Sequence, residues 1–472
     1  MSDDPATGKS RGATAVGGIL HSNIPRFTYR TAAVAAIGGS LFGYDIGVIS
    51  GAENLLKAAF HLSAFTEELA VAAVLVGAII GGVIGGTMAD WLSRRRSLFW
   101  LAVLYVIGAV ATSLAPNLWL FIAFRICVGV AVGASSMVVP MYIAELAPAR
   151  ARGGLVILQQ LAISGGIFIS YVVDYGVSAA GWGWRPMFAA ALVPGVLLGL
   201  GMFFAPHSPR WLAMRGEWEE AERVVKRIDP DNRETEMQGL HEDVERQSGA
   251  SWRELLAPGT RGALIAGVGL AVFQQFVGPN TVLFYTPTIF HYAGIGGTGA
   301  GNALLPTIYV GAALFVFVLP TILLVDRIGR KALFFVGLST MGAMLVLLGA
   351  AFATGPAQWG IGVMLILLVY VAAYSISISP LFWLMSAEVF PNRLRGLGSS
   401  CCTVANWSSN LLISVTFLSA VGALGKDVTF WIYAAFAALG IVFVAKFVPE
   451  TKGRPLEMIG EYWKNGREWP TR

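Results

Sequence analysis

Residues 70–90 read AVAAVLVGAIIGGVIGGTMAD, and no side chain from Ala70 to Ala89 carries a charge. As a helix, about 20 such residues cover the roughly 30 Å hydrocarbon core of a bilayer, whereas a membrane strand needs only about ten, with alternating polarity. Lipid offers the backbone no partner, so the chain must satisfy its own N–H and C=O groups, as a helix does. Gly77, Gly81 and Gly85 recur at every fourth position. They mark a face for close helix packing and not a phosphate-binding loop. Charge returns at Asp90 and continues through Arg94, Arg95 and Arg96, so the run ends in a basic loop.

The rest of the chain follows that pattern. Of its 472 residues, 56% are hydrophobic and 13% charged, and the mean hydropathy is +0.66. Soluble domains carry about 25% charged residues, so a soluble globular protein is excluded. The net charge of +5 is dispersed over loops and forms no nucleic-acid patch. Cys127, Cys401 and Cys402 all sit in apolar runs, which describes no disulfide framework. The first 25 residues have no compact apolar core, so no cleavable signal peptide is expected. Metal-ligand clusters, a Lys-Ser/Thr phosphate loop and a nucleophile–base set are all missing from the sequence. The expectation is a protein that is not an enzyme, with no cofactor and no obligatory protein partner.

Apolar runs fall near 31–52, 68–90, 98–115, 117–142, 154–176, 186–205, 262–290, 302–325, 332–353, 360–386, 397–421 and 428–448. These predict an all-α membrane protein of twelve transmembrane helices. A tail over 1–30 precedes a six-helix bundle over 31–205. A polar linker with short helices covers 206–260, a second six-helix bundle 261–448, and a second tail 449–472. Lys and Arg concentrate after the even-numbered spans, at Arg94 to Arg96, Arg150, Arg152, Arg327, Arg330, Lys331, Arg393 and Arg395. The opposite loops hold only Lys57, Arg185 and Lys426. That asymmetry predicts both termini in the cytoplasm of a multi-pass protein of the plasma (inner) membrane.

The chain also repeats itself. Met141-Tyr142-Ile143-Ala144-Glu145 through Arg152 is echoed by Met385-Ser386-Ala387-Glu388 through Arg395, 243 positions later (388 − 145). Asp90 with Arg94 and Arg95 is echoed by Asp326 with Arg330 and Lys331 at 236 (326 − 90), and Pro206 to Arg210 by Pro449-Glu450-Thr451 at 243 (449 − 206). Two halves of one topology imply a pseudo-twofold axis along the membrane normal, with a binding site where they meet and alternating access about it. Single charges at such helix ends often do no more than mark the membrane boundary. Repetition at matched spacing favours gating ion pairs among Asp90, Glu145, Arg152, Asp326, Arg330, Glu388 and Arg395.

Several segments together resemble the sugar porter family of the major facilitator superfamily, over nearly the whole length. They are Phe42-Gly43-Tyr44-Asp45 with Ile49-Ser50-Gly51, Pro140 to Glu145, and Ser208-Pro209-Arg210-Trp211-Leu212. Gln274-Gln275 with Gly278 and Asn280, Val325-Asp326-Arg327, and Pro449-Glu450-Thr451-Lys452-Gly453 complete the set. The likeness is strongest to bacterial proton-coupled hexose and pentose symporters. It implies secondary active transport of a monosaccharide, probed against two alternatives, a passive sugar or polyol uniporter and a non-transporting sensor. Sensors usually add a long signalling tail, and only 19 residues (472 − 453) follow Gly453. The sequence departs from the family pattern at Trp91, Ser93, His207, Leu314 and Ser379.

Charges deep in a span are costly and usually functional. Asp45 lies about 15 residues, or roughly 22 Å, into the first span, and Arg125 about 8 residues, or roughly 12 Å, down from the other side of the fourth. Both therefore sit near one depth and can pair. A permanent staple is one reading of such a pair. The other is a proton switch, because burial favours the neutral carboxyl and a facing guanidinium the ionised one. The resemblance implies the switch, since symporters of the family carry the coupling Asp at this position; H⁺ is then the coupling ion. A sugar presents many hydroxyls and an apolar ring face, so its site calls for amides and aromatic surface. Gln160, Gln274, Gln275, Asn280 and Asn406 supply amides, and Trp383 and Trp407 supply rings. Each alone reads as an interhelical bond or packing. The resemblance matches all of them except Trp407 to sugar-contacting positions. Gly278-Pro279 should break the seventh span into a gate.

Overall fold

The structure is a computed structural model describing residues 25–148, 152–245, 252–295, 304–355, 358–391, 394–452 and 458–469. All regular structure among them is helical. The first seven helices are α1 (Arg26–Phe60), α2 (Ala64–Leu92), α3 (Arg94–Ser113), α4 (Leu118–Leu146), α5 (Arg152–Ala179), α6 (Arg185–Ala190) and α7 (Leu192–Phe204). Four short helices follow in the polar stretch: α8 (Pro209–Met214), α9 (Trp218–Ile228), α10 (Arg233–Glu245) and α11 (Trp252–Leu255). The remainder comprises α12 (Arg261–Phe276), α13 (Pro279–Phe284), α14 (Thr286–Tyr292), α15 (Leu304–Val318), α16 (Thr321–Ile328) and α17 (Arg330–Thr354). After these come α18 (Ile361–Ile376), α19 (Ile378–Glu388), α20 (Arg395–Ser414), α21 (Phe417–Leu424), α22 (Lys426–Phe447) and α23 (Ile459–Lys464).

Among the described residues, eleven helical stretches are long and apolar enough to cross a membrane, and α15 is a shorter apolar helix. The run expected over 302–325 is thus divided. Pro320 lacks an N–H and crowds the preceding turn, so α15 stops at Val318 and α16 starts at Thr321. The seventh run breaks as expected: Gly278 takes φ +83, open to glycine at little steric cost, and Pro279 opens α13. The first run is longer than expected. It reaches Phe60, and Ser63 then caps α2 by accepting from the Thr66 N–H at 3.3 Å. Lys57, expected in a loop, is therefore a helix residue, as is Glu53.

Packing reproduces the repeat. α1 lies on α5, α2 on α4, and α3 on α7; correspondingly α12 lies on α20, α15 on α18, and α17 on α22. The two groups meet where α5 touches α15 and α2 touches α20, contacts that the same twofold relation exchanges. The α2–α4 approach depends on glycine. A Cβ at Gly77 would stand 2.0 Å from the Ile126 carbonyl oxygen, and one at Gly129 2.0 Å from that of Val74. Such overlap forces the helices apart, so small residues are obligatory there.

Candidate functional site

A cavity with about 400 Å³ of atom-free space, its opening included, lies between the two groups of helices. Gln160, Gln274, Gln275, Asn280, Trp383 and Asn406 line it, together with Phe42, Ile46, Leu314, Tyr374 and Ser379. The amides form a chain. Asn280 Nδ2 donates to Gln275 Oε1 at 2.8 Å, Gln275 Nε2 to Asn406 Oδ1 at 3.1 Å, and Asn406 Nδ2 to Gln274 Oε1. Gln160 Nε2 crosses from α5 to donate to Ser379 Oγ at 2.9 Å, so Ser379, one of the departures, ties the two groups together. Leu314, another departure, adds an apolar wall to the lining. Each amide both donates and accepts, so the chain can exchange internal bonds for hydroxyls without leaving a polar atom unpaired.

Trp407 stands one layer back from this lining, 1% exposed, its ring 4.8 Å from that of Phe42 in an edge-to-face contact. One residue along a helix turns the side chain by about 100°, so a helix that points Asn406 inward must turn Trp407 aside. Its neighbours there are Phe42 and Gly82.

Asp45 and Arg125 meet as a two-pronged pair, buried to 4% and 1% exposure. Arg125 Nη2 donates to Asp45 Oδ2 at 3.0 Å, and Nη1 contacts Oδ1. The guanidinium carbon lies 5.5 Å from the centre of the Phe188 ring. A pair this deep is weak support for stability, because desolvation offsets much of the attraction.

At the helix ends near Ser93, two matching clamps appear. Arg94 holds Glu145 at 3.0 Å, and Ser208 Oγ donates to the same carboxylate. Arg330 holds Glu388 at 3.2 Å, and Thr451 Oγ1 donates to that carboxylate at 2.5 Å. Even the minor bonds correspond: Arg94 Nη1 donates to the Ala89 carbonyl and Arg330 Nη1 to that of Val325, at 3.4 and 3.3 Å. Asp90 joins the first clamp, 3.0 Å from Arg94. Arg395 opens α20 half-buried. The side chains of Arg152 and Asp326 lie outside the described residues. The departure at Ser93 is accommodated locally. Its φ of +83 matches the +104 of Gly329, its counterpart (329 − 93 = 236). A serine held there costs about 1–3 kcal/mol in backbone strain. Against that, Ser93 Oγ accepts from the Arg96 N–H at 3.3 Å and lies 3.0 Å from His207 Nδ1. Two departures, Ser93 and His207, are thus bonded to each other.

The family model for "Sugar (and other) transporter" matches residues 31–463. This chain belongs to the sugar transporter family. The transporter is 38% identical over 429 residues to the D-xylose transporter of Levilactobacillus brevis, covering 90% of this chain and 93% of the relative. It is 36% identical over 449 residues to the galactose-proton symporter of Escherichia coli K12, covering 93% of this chain and 95% of the relative. Among solved structures it superposes on the xylose transporter XylE from E. coli with a TM-score of 0.80 at 35% identity, covering 91% of this chain and 99% of that one. A structure of the proton:xylose symporter XylE with bound 6-bromo-6-deoxy-D-glucose gives 0.81 at 35% identity, over 93% and 99%. The fold is the major facilitator fold, and the transporter is a multi-pass membrane protein.

Within this transporter, sequence reasoning missed a second polar cluster at the ends of the helices opposite the clamps. Thr288 on α14 donates to Glu53 Oε2 on α1 at 2.9 Å. Glu68 on α2 accepts from the N–H and hydroxyl of Ser419 on α21, both at 2.7 Å. Lys57 pairs with Glu67 at 2.7 Å. All three acids are buried, as is Asp174 on α5, which accepts from Ser170 Oγ at 3.3 Å. Asp45 is therefore not the single acid buried within the spans. The missed signal was length: a first helix ending at residue 52 leaves Glu53 outside, whereas one ending at Phe60 carries it inward.

Proposed function

We propose that this transporter moves a monosaccharide together with a proton across the plasma membrane by alternating access. The observation that carries the reading is the amide-lined cavity set between two groups of helices related by the repeat. A neutral polyhydroxylated solute suits it, because the lining amides offer donors and acceptors without formal charge, and Trp383, Tyr374 and Phe42 offer ring surface. In this reading Asp45 takes up the proton when Arg125 moves away. Its support is the buried geometry of the pair and the names of relatives that are sugar–proton symporters. Counterflow in proteoliposomes tests the assignment, with labelled hexoses, pentoses and polyols, with and without a pH gradient. Saturable counterflow of one or more monosaccharides that a pH gradient drives uphill is the expected result; a solute panel that never exchanges defeats it.

The same reading has twelve crossings, with α15 and α16 together making one, arranged as six-helix bundles over 31–205 and 261–448 joined by 206–260. Both termini face the cytoplasm in this reading, supported by the Arg-rich loops after the even-numbered crossings. The clamps then lie on the cytoplasmic side and serve as gating contacts, and the Glu53–Thr288 and Glu68–Ser419 bonds hold the outer side closed. A cysteine at Glu219 should react with an impermeant maleimide only from the cytoplasmic face, and one at Trp182 only from outside. The reverse pattern refutes the orientation.

A further inference from the structure

A second cavity, with about 440 Å³ of atom-free space including its opening, lies where α3 begins and α7 ends, away from the sugar cavity. Arg95, Arg96 and His207 line it with Phe99, Met202 and Phe203. Arg95 is anchored: Nε donates to the Met202 carbonyl at 3.1 Å and Nη2 to that of Phe203 at 2.6 Å. Its Nη1 donors are unspent among the described residues. The Arg96 side chain is exposed and its guanidinium has no hydrogen bond or ion pair among the described residues. His207 is fixed, stacked on Trp211 with ring centres 5.2 Å apart and bonded to Ser93. Beside these groups runs an apolar surface: Phe203 is 59% exposed, Phe204 81% and Trp100 55%.

Two unspent cationic groups beside an aromatic, lipid-compatible wall match one ligand chemistry, a phosphate ester carrying hydrocarbon chains. We propose that this pocket binds the headgroup of an anionic phospholipid, with Arg95 and Arg96 on the phosphate and the acyl chains along Phe99 and Phe203. A basic loop at a membrane surface ordinarily attracts anionic lipid diffusely. Here a walled cavity and an anchored guanidinium add a defined seat. Burial, and then the charges of Arg95 and Arg96, hold His207 below the usual imidazole range, and Glu220 opposes them. A phosphate seated between these groups offsets the guanidinium charge and favours the imidazolium. Headgroup binding and proton uptake by His207 are therefore linked.

The test uses the purified full-length chain in nanodiscs of phosphatidylcholine, with or without phosphatidylglycerol. Retained lipid is counted by native mass spectrometry, and the His207 ring is followed by NMR against His207→Gln. Saturable retention of phosphatidylglycerol over phosphatidylcholine is expected, weakened about fivefold in Arg96→Gln, with the His207 midpoint rising only when the anionic lipid is present. His207→Glu, which adds a carboxylate to the pocket, should weaken retention as well and serves if Arg96→Gln fails to fold. Equal retention of both lipids, or retention unchanged in the variants, overturns the proposal. So does a His207 response reproduced by soluble glycerol 3-phosphate in phosphatidylcholine discs, which would assign the pocket to a free phosphate.

Discussion

Vesicles carrying Asp45→Asn are expected to show no alkalinisation of the medium on sugar addition, while wild type shows it clearly. The variant should also lose accumulation against a gradient and retain only downhill entry. Asp45 is 4% exposed and its carboxylate is spent on Arg125. An ionised carboxylate cannot cross a turnover unpaired at that depth, so it must keep its cation or gain a proton. An amide can do neither. The substitution also leaves Arg125, 1% exposed, without a counter-charge, which typically costs about 3–5 kcal/mol. Lost coupling must therefore be separated from lost folding. Removing both charges, as Asp45→Asn with Arg125→Met, relieves the orphaned cation and should restore the amount of folded protein without restoring proton movement. Sugar-driven alkalinisation persisting in either variant would show that the proton travels elsewhere, with Asp174 and Glu53 the next acids to examine.

Gln275→Leu should remove saturable sugar uptake from protein present at wild-type levels. Gln275 is the middle of the amide chain: it accepts from Asn280 and donates to Asn406. Leucine has similar volume but takes the partner from Asn280 Nδ2 and from Asn406 Oδ1, and each lost bond is worth about 0.5–1.5 kcal/mol. Loss of the sugar's own bond to this position removes a similar amount from binding, which by itself raises KM about 2- to 13-fold. Gln160→Leu should have a smaller effect on affinity, because its partner Ser379 accepts through a hydroxyl oxygen that can take another donor. Uptake by Gln275→Leu with an unchanged KM would mean that the chain holds helices together and touches no sugar.

Much of this arrangement was legible in the sequence. Amides are conspicuous in apolar runs, and Gln160, Gln274, Gln275, Asn280 and Asn406 all reach one cavity. The depth of Asp45 and Arg125 follows from residue count along rigid helices, and they do meet. Direction around a helix was harder. Trp407 follows Asn406, yet a turn of about 100° sends it elsewhere. Partner choice was harder still. The seven-residue spacing to Arg152 and Arg395 gave no sign that Arg94 and Arg330, at the starts of other helices, also bind Glu145 and Glu388, as they do. Those arginines begin the neighbouring helices after a sharp turn at Ser93 or Gly329. Helix ends set by caps and prolines, as at Ser63 and Pro320, decided what the runs of hydropathy left open.

The buried Asp45–Arg125 pair bridges α1 and α4, whereas four of the five amides belong to α12, α13 and α20. In the proposed function, drive and cargo choice therefore belong to different parts of the polypeptide, joined at the cavity by Gln160 and by the flank of α1 that carries Phe42 and Ile46. Under that proposal, substitutions downstream of residue 261 would retune which solute is accepted while leaving the Asp45–Arg125 pair untouched.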